Sequence, residues 1–144
     1  MIGAEPKVGW VLRYSYLWSD DDANASLSAK ERPVVVVLAV KRVEGRILVR
    51  VVPVTHRDPA DPARAIEIPA TTKRRLRLDY ARSWIVLDHA NEFVWPGPDV
   101  RPVPGVNPPS VYYGPLPPKL FNAVRWRLLS LARARRQAAK FRAE

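Results

Sequence analysis

Pro33-Val34-Val35-Val36-Val37-Leu38-Ala39-Val40, followed after the turn residues Glu44-Gly45 by Ile47-Leu48-Val49-Arg50-Val51-Val52-Pro53-Val54, is the stretch whose reading decides the fold. Branching at Cβ stiffens these side chains and suits them to a pleated surface, so each run reads as a strand. The short turn between them makes the pair a β-hairpin. Val34 to Leu38 is apolar at odd and even positions alike, which places that strand in the middle of a sheet with both faces covered.

Working outward, Val8, Trp10, Leu12, Tyr14 and Tyr16 alternate with polar or smaller residues and predict a first strand over Val8–Tyr16 with an apolar inward face. Leu17 to Glu31, with Asp20, Asp21, Asp22 and Asn24, is a polar loop longer than most connections in a compact domain. On the other side of the hairpin, Thr55–Ala63 is a loop and Ile66–Ile68 resumes strand character. Thr71-Thr72 predicts an N-capped short helix over Lys73–Leu78, because a threonine hydroxyl accepts from a free amide of the first turn. Ser83–Asp88 and Glu92–Trp95 read as further strands. Pro96–Pro118 carries nine prolines in 23 residues, which excludes helix and interior strand and predicts extended chain lying over the rest. Leu120, Val124, Leu128 and Leu131 step at helical spacing and predict a terminal amphipathic helix that frays into Arg133–Glu144.

Short strands with turns, one helical insert and a closing helix describe a mainly β protein with α: a small antiparallel barrel of the SH3-like class. The organisation expected is a barrel over residues 1–95, a Pro-rich segment covering it over 96–118, and a basic helix and tail over 119–144, all in one domain. The 144 residues are enough for one core and short for two. With no cysteine and two histidines, a disulfide framework, a thiolate zinc site, an iron–sulfur cluster and an all-histidine metal site are excluded. The six glycines are scattered and form no phosphate loop, so no nucleotide cofactor is expected, and no metal. The early charges and the lack of a long apolar run predict neither signal peptide nor membrane span, hence a cytoplasmic protein with no membrane partner.

The formal charge is +10, yet Lys119–Glu144 alone holds eight basic residues against one acidic. Attraction to a polyanion is therefore concentrated in that tail and in one local patch, Lys73, Arg74, Arg75 and Arg77. Trp10 or Trp95 at the barrel rim is a candidate base-stacking ring. Polar residues also mark the points where apolar strands end: Glu31-Arg32, Thr55-His56-Arg57 and Asp88-His89. In an antiparallel hairpin the start of one strand lies beside the end of the next, so Arg32 and Thr55 are neighbours despite their separation in sequence. On spacing alone Arg32 also reads as a cap on a sheet edge and Thr55 as a turn residue.

Glu31-Arg32-Pro33-Val34-Val35-Val36-Val37, then Val52-Pro53-Val54-Thr55, then Ser83-Trp84-Ile85-Val86-Leu87-Asp88, resemble in order and spacing the three sequence blocks of the PemK/MazF toxins, and Val8-Gly9-Trp10-Val11 is similar to their first strand. The resemblance implies an SH3-like barrel, usually a homodimer, that acts as the toxin of a type II toxin–antitoxin system. It implies a metal-independent endoribonuclease cutting single-stranded RNA and neutralised by an acidic antitoxin. Arg32 and Thr55 match the family's arginine and threonine, and Asp88 its carboxylate.

RNA carries its own nucleophile, so such a site needs a base for the 2′-hydroxyl, donors for the leaving oxygen and positive charge for the phosphorane. Arg32 would supply charge, Thr55 a hydrogen bond, and either Asp88 or His56 the base. Arg57, Lys73, Arg74, Arg75, Arg77 and Trp10 would hold the strand. The loop before Arg32 is longer and more aspartate-rich than the family pattern. Two alternatives therefore stand beside the nuclease: a catalytically silent nucleic-acid-binding barrel, and a toxin acting on a protein target such as gyrase.

Overall fold

The valine-rich hairpin forms and sits at the centre of the sheet. The computed structural model describes residues 5–16 and 30–143, so the polar loop expected from Leu17 lies almost entirely outside the described residues. The elements are β1 (Trp10–Tyr16), β2 (Lys30–Lys41), β3 (Ile47–Thr55), β4 (Ala65–Glu67), α1 (Ala70–Arg75), β5 (Trp84–Val86), β6 (Asn91–Val94), β7 (Tyr112–Pro115) and α2 (Pro118–Ala143). All pairings are antiparallel, in the order β4-β5-β3-β2-β1-β7, with β6 also on β3.

The sheet curls into a half-barrel. Two features bend it. A bulge between Val36 and Leu38 puts an extra residue in β2, which kinks a strand and increases its twist. On the far edge of β3, β6 takes Leu48–Val51 and β5 takes Val54–Thr55, and Pro53, which has no amide to give a ladder, falls in the gap between them.

Because successive strand residues point to opposite faces, the sheet builds two apolar clusters. Val11, Val35, Val52, Val54 and Ile85 meet Ile68, Leu76, Leu116 and Val124 on one face; Leu12, Tyr14, Tyr16, Val34, Val36, Val49 and Val51 meet Val100, Val111 and Tyr112 on the other. β1 is thus buried on both faces rather than one, Val11 being as enclosed as Leu12, and Val8 lies outside the strand and exposed.

Two other expectations are corrected. α1 starts at Ala70 behind Pro69, whose fixed φ of −58° suits a helix start and whose carbonyl accepts from Lys73 N, so neither Thr71 nor Thr72 caps it. It stops at Arg75 because Arg77 takes a left-handed φ of 57°. The Pro-rich segment is extended as expected, yet it is also part of the sheet. Tyr112–Pro115 pairs with β1, Val100 bridges to Tyr14, and Ser15 N donates to Asp99 O at 2.8 Å.

α2 is one continuous helix to Ala143 rather than a helix that frays from Arg133. Val124 is fully buried, and Leu120, Phe121, Leu128 and Leu131 pack against the first cluster, while Trp126 and Leu129 are exposed. Arg127 ties the helix to the Pro62 and Ala63 carbonyls. Among the described residues no helix is long and apolar enough to cross a membrane.

Candidate functional site

At the end of the hairpin where β2 begins and β3 finishes, a cavity of about 550 Å³ opens beneath α1, a size in the range of small-molecule sites. The ladder sets Val34 opposite Pro53, so the same register brings Arg32 and Thr55 together. Both line the cavity. Residues of both alternation classes at these strand ends line it: Pro33 and Val54 from the face of the first cluster, Arg32 and Thr55 from the other.

The turn after β3 adds His56 and Arg57 to the wall. Arg57 N donates to Thr55 Oγ1 at 3.2 Å, which fixes the hydroxyl oxygen while leaving its proton to give elsewhere. α1 and the turn that follows it contribute Lys73, Arg77, Leu78 and Asp79, and Ser83 comes from just before β5. Across the cavity stand Arg13 of β1, Glu31 of β2 and Tyr113 of β7. Arg13 bonds Tyr113 Oη at 3.0 Å and Glu31 at 2.9 Å. Burial works against its charge, but the Glu31 and Tyr113 hydrogen bonds outweigh that and hold the Arg13 guanidinium above its ordinary range.

The cavity wall gathers five guanidinium or ammonium groups against two carboxylates. Glu31 is engaged by both Arg13 and Arg101, and Asp79 by Lys73 and by His56, whose Nε2 lies 2.7 Å from Asp79 Oδ2. Partial desolvation works against ionisation of Asp79, but the hydrogen bond and charge of Lys73, the charge of His56 and a backbone hydrogen bond from Ala81 keep its carboxyl below the usual carboxylate range. The balance left is positive, the field an anion such as a phosphodiester would meet.

Of the residues expected in a site, Arg32, Thr55, His56, Arg57, Lys73 and Arg77 share this cavity. Asp88 does not. β5 runs antiparallel to β3 with Trp84 opposite Thr55, so the chain moves away from the cavity, and Asp88 lies in the turn after β5. There its carboxylate meets Arg64 at 3.6 Å and His89 at 3.7 Å. Trp10 is also elsewhere, edge-on to Tyr112 with Lys7 Nζ 4.3 Å from its ring centroid.

The basic run 73–77 splits. Lys73 is buried, with its ammonium on Asp79, Ala81 O and Ser83 Oγ; Arg77 lines the cavity; Arg74 and Arg75 are exposed outside it.

Asp79, Arg13 and Tyr113 escape a reading by motif. The available signals are faint: Asp79 is the one acidic residue between Lys73 and Arg82, and Arg13 breaks the apolar pattern of β1. Among the described residues no group of three His, Cys, Asp or Glu side chains forms a metal-holding cluster. No model of a known protein family matches the chain, and no curated protein matches it.

Proposed function

We propose that this cavity binds the phosphodiester of single-stranded RNA and cleaves it by attack of the neighbouring 2′-hydroxyl, and that the protein is a metal-independent endoribonuclease serving as the toxin of a type II toxin–antitoxin pair. The observation that supports this is the convergence of Arg32, Thr55 and His56 in one cation-rich cavity at the end of the hairpin. Cytoplasmic location, an acidic antitoxin and a homodimer belong to the same reading.

The chemistry needs only groups the chain supplies. His56 takes the proton of the 2′-hydroxyl as that oxygen bonds to phosphorus. The phosphorane gathers charge, which Arg32 meets with a planar fork of donors and Thr55 with its hydroxyl proton. As the bond to the 5′-oxygen breaks, the proton held by His56 passes to that oxygen. The products are a 2′,3′-cyclic phosphate and a 5′-hydroxyl, and the imidazole ends as it began. Arg57 and Arg77 grip flanking phosphates.

The test is incubation of the purified chain with single-stranded RNA in EDTA, beside Arg32→Ala, His56→Gln and Asp88→Asn. Cleavage by the wild type, reduced about a hundredfold or more in the first two variants and unchanged in Asp88→Asn, is expected. Growth arrest on induction with RNA left intact would refute the nuclease and favour a protein target. The distance of Asp88 from the cavity favours one second reading, a barrel that binds RNA without cutting it; tight binding with no cleavage would establish that.

A further inference from the structure

We infer that Asp79, held from beneath by Lys73, fixes the proton of the neutral His56 ring on Nε2 and so makes Nδ1 the nitrogen that accepts the hydroxyl proton. This rests on the proposed reading of the cavity and names two positioning residues for it. The geometry is a chain of three groups. His56 Nε2 lies 2.7 Å from Asp79 Oδ2 as an ion pair, and the negative charge of an ionised carboxylate favours the ring tautomer that carries its proton on this nearer nitrogen rather than a lone pair facing the oxygen. A neutral imidazole carries one proton, which leaves the lone pair at Nδ1, the nitrogen away from Asp79.

The other carboxylate oxygen, Oδ1, accepts from Lys73 Nζ. That ammonium has three protons, and Asp79 Oδ1, Ala81 O and Ser83 Oγ (2.5 Å) take one each. Its side chain is 6% exposed. A cation so enclosed does not reach substrate. Its effect is to keep Asp79 charged and turned toward His56. The other charges facing His56 are Arg57 beside it, Arg77 after α1, Arg32 and Glu31 of β2 and Arg13 of β1. Glu31 is occupied by Arg13 and Arg101, so Asp79 is the carboxylate that sets the ring.

A sharp consequence follows for Asp79→Asn. Lys73 can only donate, so it selects the amide oxygen of the new side chain and turns the amide NH2 toward His56. The ring nitrogen there must then accept, and the proton moves to Nδ1, the site that should receive the substrate's proton.

The experiment is ¹⁵N NMR of the full-length chain above the imidazole titration, with the His56 signals assigned by their loss in His56→Gln, alongside RNA cleavage. Expected are an Nε2–H ring in the wild type, an Nδ1–H ring in Asp79→Asn with cleavage lower by about ten- to a hundredfold, and partial return of both on adding Lys73→Met, which frees the amide to turn over. An Nδ1–H wild type, or an Asp79→Asn ring unchanged from the wild type, overturns the inference. If Lys73→Met fails to fold, Asp79→Asn, at a half-exposed position, decides alone. Failure of the underlying reading looks different: the predicted tautomers with no cleavage by any variant keep the positioning and refute the nuclease.

Discussion

The ammonium of Lys73 has an acceptor for each of its protons and almost no contact with water, so its worth to the fold is that of charged hydrogen bonds, each about 1.5–3 kcal/mol. Lys73→Ala removes them and leaves Ser83 Oγ and the Asp79 carboxylate without this donor, while the Ala81 carbonyl keeps the Ser83 hydroxyl. We expect it to destabilise the protein by about 2–4 kcal/mol in urea unfolding, and Arg74→Ala and Arg75→Ala, on exposed positions, to change stability by less than about 0.5 kcal/mol. Equal losses at all three positions would contradict this placement. Asp79 adds a pH dependence. Its carboxyl ionises more readily folded than unfolded, so the stability it confers is present above the ordinary carboxylate range, near pH 4, and is lost as pH falls through the lower folded value. Asp79→Asn should flatten the acid limb of the unfolding curve below about pH 4. Four cations in five positions are visible in the sequence at once. Which of them faces inward is not, because that depends on where α1 begins and ends, and Pro69 and the left-handed Arg77 set those limits rather than the threonines.

At the level of elements, the end of α1 and β7, both of which contribute to the cavity wall, approach each other closely. Gly114 adopts φ 143°, a conformation L side chains rarely take, and a Cβ there would lie 2.8 Å from Leu76 Cδ2. The glycine lets the strand pass under the helix that carries Lys73 and leads to Asp79, with Tyr113 beside it in the wall. Gly114→Ala combines backbone strain with overpacking and should cost about 1–3 kcal/mol. Thermal unfolding checks the cost, and the ¹⁵N shifts of His56 show whether the displacement reaches the cavity. Gly45→Ala is the comparison: its φ of 77° is in the milder left-handed region and nothing stands within 4 Å, so it carries a lesser backbone strain and no clash. A Gly114→Ala no worse than Gly45→Ala would remove the close approach from the account. The hairpin was legible because β-branching and alternation are local properties. β7 was hidden by its prolines, since its pairing depends on β1, a hundred residues earlier in the chain. Asp88 lies outside the cavity for a related reason: its block follows Trp84, which does lie beside Thr55, but the antiparallel direction of β5 carries the chain out of the cavity.

Across the whole molecule the excess of +10 invites the view that RNA would bind anywhere on the surface, and the position of the charge argues otherwise. Much of it lies on α2, on a different part of the fold from the cavity, where the wall concentrates cations within a concave surface and Arg57 and Arg77 have no ion pair among the described residues. These alternatives differ in counterion release. A strand held at the cavity by Arg32, Arg57 and Arg77 displaces ions from about three phosphates, so the logarithm of the affinity should fall with the logarithm of salt concentration at a slope of about −2. Wholesale coating by the tail would give a slope of about −5 or steeper, since eight basic residues lie there. Titrating an oligonucleotide with 2′-deoxy sugars, which blocks cleavage without removing phosphates, separates the two. The cavity reading further requires Arg77→Ala to make the slope shallower by about 0.7 and paired Arg135→Ala and Arg136→Ala to leave it unchanged. The opposite pattern would move the RNA from the cavity to α2.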